Sequence, residues 1–345
     1  MTIKDIAQLA GVSPATVSNV MNKTGRVSKE TVSRVIEIVN EKNFNLNASA
    51  RTLRQKVSRL IAILVPDYSE SENTYHGQEL GIANPFYLEF VSKTEEILSK
   101  HGFETIFKVV SVKSDLKFIK ERNLDGVIVI GAHEGSEFTS KVVSYNVPVV
   151  FVDSYLSNGE VSLINTDDQL GGYLSTRHLL GLGHQKILFI SGELQSSGVN
   201  YERSLGYQRA LEEHGVKIEP SFIIQTDVTV EEGRALAHRL AFKNNEFTGI
   251  VTTADALAIG LIRGFYECGI SVPGQVSIVG FDDISVSAFI IPSITTVHQD
   301  FELKAKRAAI LLTKLIHGSD SEKIQQDNLL PKLIVRESTA EPFSK

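Results

Sequence analysis

Four charged side chains stand where short apolar runs end. Asp153 closes PVVFVD, Asp255 closes GIVTTAD and Asp282 closes SIVGFDD, while Arg203 opens RSLGYQRAL after the loop that follows KILFISG. Carboxylates and a guanidinium converging at strand ends can bind vicinal hydroxyls bidentately, with an aromatic ring stacked on a sugar face. Asp255 and Asp282 could instead be N-caps of the helices that follow, and Arg203 a surface residue. A second group lies near the N-terminus, in AGVSPATVSNVMN at residues 10–22. Its helical spacing turns Ala15, Thr16 and Asn19 to one face, which is uncharged. Small, uncharged groups suit a surface that meets base edges, where Asn19 can offer its amide to adenine and the methyls of Ala15 and Thr16 suit thymine.

The elements that must position these groups can be read in turn. Thr2 is placed to cap a first helix, with Asp5 in its first turn and Ile6, Leu9 and Ala10 as the buried stripe. Gly11 permits a tight turn, and Ser13 then Pro14 mark a restart: an N-cap followed by proline at the first helical position. Val17, Val20 and Met21 turn inward. Ser28 caps a third helix whose Val32, Val35, Ile36 and Val39 complete a small core. Two short helices across a glycine turn, packed on a third, make a helix-turn-helix, the alternative being a three-helix docking module. Ser13, Pro14, Ala15, Thr16, Ser18, Asn19 and Asn22 are its candidate DNA-reading residues.

Charge agrees with that division. The chain has a net charge of −6, yet residues 1–57 hold nine Lys/Arg against four Asp/Glu. A basic head on an acidic body suits a polyanion that only the head touches. From Leu60 onward, LIAILVP, FETIFKVV, DGVIVIG, PVVFVD, KILFIS, FIIQTD, GIVTTAD and SIVGFDD read as buried parallel strands, with amphipathic stretches at 87–101, 168–182, 203–214 and 256–268 between them. That alternation predicts an α/β core of two doubly wound subdomains. ITTVHQ near 294–299 and LIVRES near 333–338 read as late strands returning to each half. The expected division is 1–57 for the headpiece and 58–345 for the core. The core's N-subdomain takes about 58–164 and 294–324, its C-subdomain about 165–293 and 325–345.

Several classes are excluded. There is one cysteine, Cys268, so neither a disulfide framework nor a Cys-based zinc site fits. No secretory signal or membrane-length apolar run is present, and cytoplasm is the expected location. GxxxxGK[ST], GxGxxG and HExxH are absent. Asp167–Asp168 and Asp282–Asp283 are sequence neighbours whose carboxylates point apart, unlike a glycosidase pair. The chain reads as a non-enzyme without cofactor or metal, the alternatives to a DNA-binding regulator being a sugar-binding receptor without gene regulation or a sugar-modifying enzyme.

The motifs TIKDIAQLAGVSPATVSNVMN and VSKETVSRV, then NASARTLR at 47–54 and the closing VREST at 335–339, resemble the lactose/galactose repressor (LacI/GalR) family of bacterial transcription regulators across essentially the whole chain. The resemblance implies a periplasmic-sugar-binding-like core, operator DNA as partner, a homodimer and a small-molecule sugar effector. It assigns 47–54 as a hinge helix, in which Leu53 wedges into the minor groove and Asn47, Arg51 and Arg54 face DNA. Eight residues cannot hold a helix alone, so the hinge should order only when paired on DNA. The resemblance also places sugar contacts at Arg203, Asp255 and Asp282 and near NPFY, here Asn84, Phe86 and Tyr87. Leu46 and Asn19 depart from the family pattern, which leaves the operator sequence open. The acidic insertion SESENTYHGQELGIA at 69–83, and His298, are similar to repressors of galactoside-utilisation genes, although a solvated loop fits equally. No trailing leucine heptad follows VREST, which points to a dimer rather than a tetramer. The resemblance therefore implies a repressor of carbohydrate-utilisation genes, allosterically controlled by a sugar such as galactose or a galactoside.

Overall fold

The structure, a computed structural model, describes residues 3–21, 25, 27–41, 58–68, 85–157, 161–194, 197–242, 246–318 and 326–343. Thr2, Asn22, the hinge segment 47–54, the 69–83 insertion and Asn84 lie outside the described residues. The chain divides into a small unit, Met1–Arg59, and a core unit, Leu60–Lys345. No helix among the described residues is long and apolar enough to cross a membrane.

In the small unit, α1 (Ile3–Ala10), α2 (Pro14–Met21) and α3 (Lys29–Glu41) enclose a core of Ile6, Ala7, Ala10, Val17, Val20, Val35 and Val39. Gly11 at φ +64° makes the turn, a conformation that costs glycine nothing. Ser13 caps α2 by accepting the Thr16 N–H at 3.1 Å, and Ser28 caps α3 through Thr31 N–H at 3.3 Å. Two stripe assignments need correction. Leu9 and Ile36 are 54% and 44% exposed, and Ala7 takes the buried place beside Ile6. Helices this short against a three-helix core bury only a narrow arc, and larger residues on its flanks stay out.

The core holds two six-stranded sheets. The first runs β11-β5-β4-β3-β1-β2, all parallel, from β1 (Leu60–Asp67), β2 (Glu104–Ser111), β3 (Gly126–Ile130), β4 (Val149–Val152), β5 (Ser162–Thr166) and β11 (Gln326–Leu329). The second runs β12-β10-β9-β8-β6-β7, from β6 (Ile187–Ser191), β7 (Ile223–Gln225), β8 (Gly249–Thr252), β9 (Ser277–Asp282), β10 (Thr295–His298) and β12 (Lys332–Ile334). Only β12, paired to β10, is antiparallel. FETIFKVV and FIIQTD form β2 and β7, which are edge strands with partly exposed faces. β5 and β11 carry too many polar residues to read as apolar runs.

The helices that matter for the site are α4 (Phe86–Lys100), α7 (Asp168–Gly181), α8 (Val199–Glu213), α9 (Val230–Ala241), α10 (Asp255–Glu267) and α11 (Phe301–Ile316); α5 (Phe118–Glu121) and α6 (Glu137–Ser144) flank the first sheet. α4 and α11 cover the first sheet through Phe86, Phe90, Phe301, Ala305, Ala308 and Leu312. The chain therefore crosses between lobes three times: after β5, after β10, and between β11 and β12. This corrects the expected boundaries. Residues 295–298 belong to the second sheet rather than to the N-subdomain, and 326–329 to the first rather than the C-subdomain, because backbone pairing places β10 beside β9 and β11 beside β5.

Candidate functional site

On the small unit, Ser13, Pro14 and Ala15 are exposed and Thr16 and Asn19 half-buried. Ser18 is only 7% exposed, so it belongs to the inner side of α2 rather than to the open face with Ala15, Thr16 and Asn19. The open face carries hydroxyl, methyl and amide groups without a fixed charge, which is the inventory a groove-reading helix requires. Asn22, Asn47, Arg51, Leu53 and Arg54 lie outside the described residues.

In the core, strand ends and crossovers bring a charged cluster together. Arg203, 6% exposed, donates from Nε to Asp168 Oδ1 at 2.7 Å and from Nη1 to the Thr253 carbonyl at 2.5 Å. Its guanidinium lies 3.6 Å above the Phe281 ring, a cation–π seat on β9. Two helix contacts fix its height. A Cβ on Gly172 of α7 would stand 2.1 Å from the Arg203 carbonyl oxygen, and one on Gly206 of α8 would stand 2.0 Å from that of Gln169, so α7 and α8 meet backbone to backbone. Asp168 also accepts the Tyr155 hydroxyl at 2.8 Å. Burial pushes the Asp168 carboxyl up, with the Arg203 charge opposing it.

Asp153 directly follows β4 and Asp282 ends β9, with φ of +48° and +114°. Non-glycine residues held in this region cost on the order of 1–3 kcal/mol each and gather at functional sites. Asp282 accepts Gln299 Nε2 at 2.7 Å, and burial drives its carboxyl well above the ordinary range against the pull of Arg203. Gln299, on the second crossover, joins the lobes: its Oε1 takes Thr166 Oγ1 at 2.8 Å and Lys304 Nζ at 2.5 Å. Lys304 Nζ also donates to Asp153 Oδ1 at 2.6 Å. Tyr87, on α4, feels the same cluster. Burial, then the charges of Asp153 and Asp282, push its phenol up to about 12. Asp153 Oδ2 and Thr253 Oγ1 are buried without a hydrogen-bond partner among the described residues. Each belongs to a different lobe. Buried polar atoms without a partner are uncommon, and these two lie among buried charges at the strand ends.

Two expected contacts have other duties. Asp255 accepts Thr296 Oγ1 at 2.6 Å on Oδ1, and Ser287 Oγ at 2.6 Å and the Ile284 N–H at 3.1 Å on Oδ2. These three donors hold its carboxylate, which braces α10 to β10 and the segment after β9. Burial still pushes it up to about 7, those three donors opposing. Neither Asp255 nor Asp282 caps a helix. Phe86 sits in the first lobe's core, edge-on to Tyr87 and Phe301. The site thus unites Tyr87, Asp153, Arg203 and Asp282, and adds Asp168, Thr253, Gln299 and Lys304, which sequence reasoning missed. Lys304 did leave a signal: a lysine beside the apolar stripe Phe301, Ala305, Ala308. The other acid pairs do point apart, Asp167 capping α7 while Asp283 binds His298 at 2.9 Å and Arg336 at 2.6 Å. No group of three His, Cys, Asp or Glu among the described residues could hold a metal ion.

Comparison with known proteins agrees with this architecture. Residues 2–47 match "Bacterial regulatory proteins, lacI family", and residues 176–339 match "Periplasmic binding protein-like domain". The chain is similar to the HTH-type transcriptional repressor PurR of Haemophilus influenzae, 31% identical over 347 residues and covering 98% of each chain. Among solved structures it is similar to a transcriptional regulator CelR–cellobiose complex, with 27% identity, TM-score 0.70, and 98% and 99% of the two chains covered. The fold alone is shared with the lac repressor dimer bound to operator and the anti-inducer ONPF, at TM-score 0.82, 24% identity and 99% of each chain.

Proposed function

The chain belongs to the LacI family of bacterial regulatory proteins, and from that membership we propose that it is a homodimeric repressor of carbohydrate-utilisation genes, whose grip on operator DNA is set by a sugar held between the lobes of its core. Family membership makes it a DNA-binding transcriptional regulator rather than an enzyme. The observation that carries the sugar reading is the cluster at the strand ends: Arg203 seated on Phe281, Asp153 and Asp282 at strained φ, and two buried polar atoms without partners. That is the donor and acceptor set that vicinal hydroxyls satisfy. A similar regulator in complex with cellobiose supports it. Galactose or a galactoside is the candidate sugar by the likeness of the 69–83 sequence to repressors of galactoside-utilisation genes.

Dimerisation has support on the surface of the second lobe. Val286, Phe289 and Ile291, in the segment after β9, are 40%, 83% and 91% exposed. Apolar side chains so gathered are ordinarily covered by a partner. A symmetric pair would present Ala15, Thr16 and Asn19 of two small units to half-sites, with Asn47, Arg51, Leu53 and Arg54 of the two hinges at the centre. Sugar between the lobes would disfavour that arrangement, and operator must then weaken sugar binding by the same factor.

The test separates the two sites. Operator fragments are selected by footprinting, and sugars by thermal shift on the intact protein. Asn19→Ala should change operator preference and leave sugar affinity intact. Arg203→Ala should abolish the sugar response and leave operator binding in place. Equal damage to both activities by both substitutions would refute the assignment.

A further inference from the structure

Lys304 has a place that the fold alone does not explain. It has no exposed surface, unlike the other described lysines, and lies one turn into α11. An ammonium there is desolvated, and the positive end of the helix dipole adds to the penalty. The surrounding face of α11 is apolar, Phe301, Ala305 and Ala308 filling the first lobe's core. Only tertiary partners compensate: Asp153 Oδ1 at 2.6 Å, Gln299 Oε1 at 2.5 Å and the Phe86 ring at 6.0 Å. As a structural brace the pair is incomplete. Asp153 is held at φ +48° with Oδ2 buried and unmet among the described residues. A buried ion pair with a spare oxygen is no better for stability than a packed apolar pair. It becomes sensible if a bound molecule supplies the missing donor.

The charges say which molecule. Asp153, Asp168 and Asp282 face Arg203 and Lys304, and both cations already spend bonds on protein acceptors. The buried side-chain atoms without a partner among the described residues are a carboxylate oxygen, which only accepts, and the Thr253 hydroxyl. An anionic ligand would meet the open oxygen of Asp153 head on; a hydroxyl meets a waiting acceptor. Resting on the reading of this cluster as the effector site, we propose that Lys304 is its positioning and specificity-determining residue: it fixes Asp153 by one oxygen so that Oδ2 accepts an effector hydroxyl, and thereby selects uncharged polyhydroxylated compounds over their phosphate esters.

The experiment titrates the intact protein with galactose, ribose and cellobiose and with phosphate esters of the two monosaccharides, in the parent, Lys304→Met, Asp153→Asn and the double variant. At least one neutral sugar should bind the parent, and no ester should bind better. Lys304→Met should weaken that sugar about tenfold or more, the strength of one hydrogen bond to a charged group. In the Asp153→Asn background the same change should weaken it no further, because Lys304 acts through Asp153. Additive losses would overturn the proposal, as would an ester preferred by the parent. Should Lys304→Met fail to fold, Asp153→Asn alone decides. It frees the ammonium of its carboxylate, so affinity for an ester must rise about tenfold relative to the neutral sugar; an unchanged ratio overturns the proposal. If no sugar binds while operator does, the effector reading itself has failed, and this inference with it.

Discussion

Replacing Arg203 by Met tests the electrostatics of the cluster directly. The substitution keeps the length of the stem and removes the guanidinium that reaches Asp168 at 2.7 Å and the Phe281 ring at 3.6 Å. Asp168, with no exposed surface, keeps the Tyr155 hydroxyl at 2.8 Å but loses its countercharge. A buried bare carboxylate is avoided by taking up a proton, which from an ordinary value near 3.9 costs at most about 4 kcal/mol at pH 7. Burial already pushes Asp168 up in the parent, with Arg203 as the leading opposition. Removing Arg203 therefore extends the pH range over which the folded state holds this proton. A carboxyl raised on folding gives stability that is complete below its unfolded value and is lost as pH rises through the folded one. The gap between parent and variant should thus be smallest near pH 4 and widen by up to about 1.4 kcal/mol per pH unit, within the ceiling of about 4 kcal/mol. A pH-independent loss of about 0.5–2 kcal/mol for the cation–π contact is superimposed. Urea denaturation followed by circular dichroism, at half-unit steps from pH 4 to 7.5, measures it. Asp168→Asn added to Arg203→Met should flatten the profile. A gap that is constant with pH, or one that persists in the double variant, would refute the reasoning.

Gly206→Ala puts a Cβ 2.0 Å from the Gln169 carbonyl and must part α7 from α8; it should cost about 1–3 kcal/mol in denaturation and weaken sugar binding by displacing Arg203. Asp255, pushed up to about 7 by burial, contributes stability that is complete below about pH 4 and lost as pH rises through 7. Asp255→Asn should remove that decline between pH 4.5 and 7.5 in thermal melts, and an unaltered profile would count against it. Ser13→Ala deletes the cap on the Thr16 N–H and should loosen α2 by about 1 kcal/mol, lowering operator affinity while the melting of the core unit stays put. A shift in the core's transition instead would contradict the division into two units.

What was legible in the sequence was whatever is encoded locally. The small unit announced itself through Gly11, the Ser13–Pro14 restart and the Ser28 cap, because turns and caps depend on neighbours in the chain. The parallel sheets were legible as apolar runs. β5 was not, because its polar residues serve partners far away. Asn165 exchanges two hydrogen bonds with the Ser154 backbone, at 2.9 and 2.8 Å, and Thr166 reaches Gln299. A buried strand whose side chains are spent as cross-links cannot look apolar. That Asp153 and Asp282 come near Arg203 was legible because strand ends are predictable places. Lys304 escaped because its partner Asp153 is 151 positions away, and a lysine with no such partner belongs in water. Asp255 shows the converse: the right residue type at the right strand end, drawn inward by Thr296 and Ser287, which only the fold brings near.

The triple crossing between lobes bears on how the protein is made. Neither half of the core is one uninterrupted stretch: the outermost strand of each sheet, β11 and β12, comes from residues 326–334, at the tail of a 345-residue chain. A ribosome must deliver residues 326–334 before either sheet can close its last edge. Until then both present open backbone to the cell, whereas the small unit, finished within the first sixty residues, can fold while the remainder is still being translated.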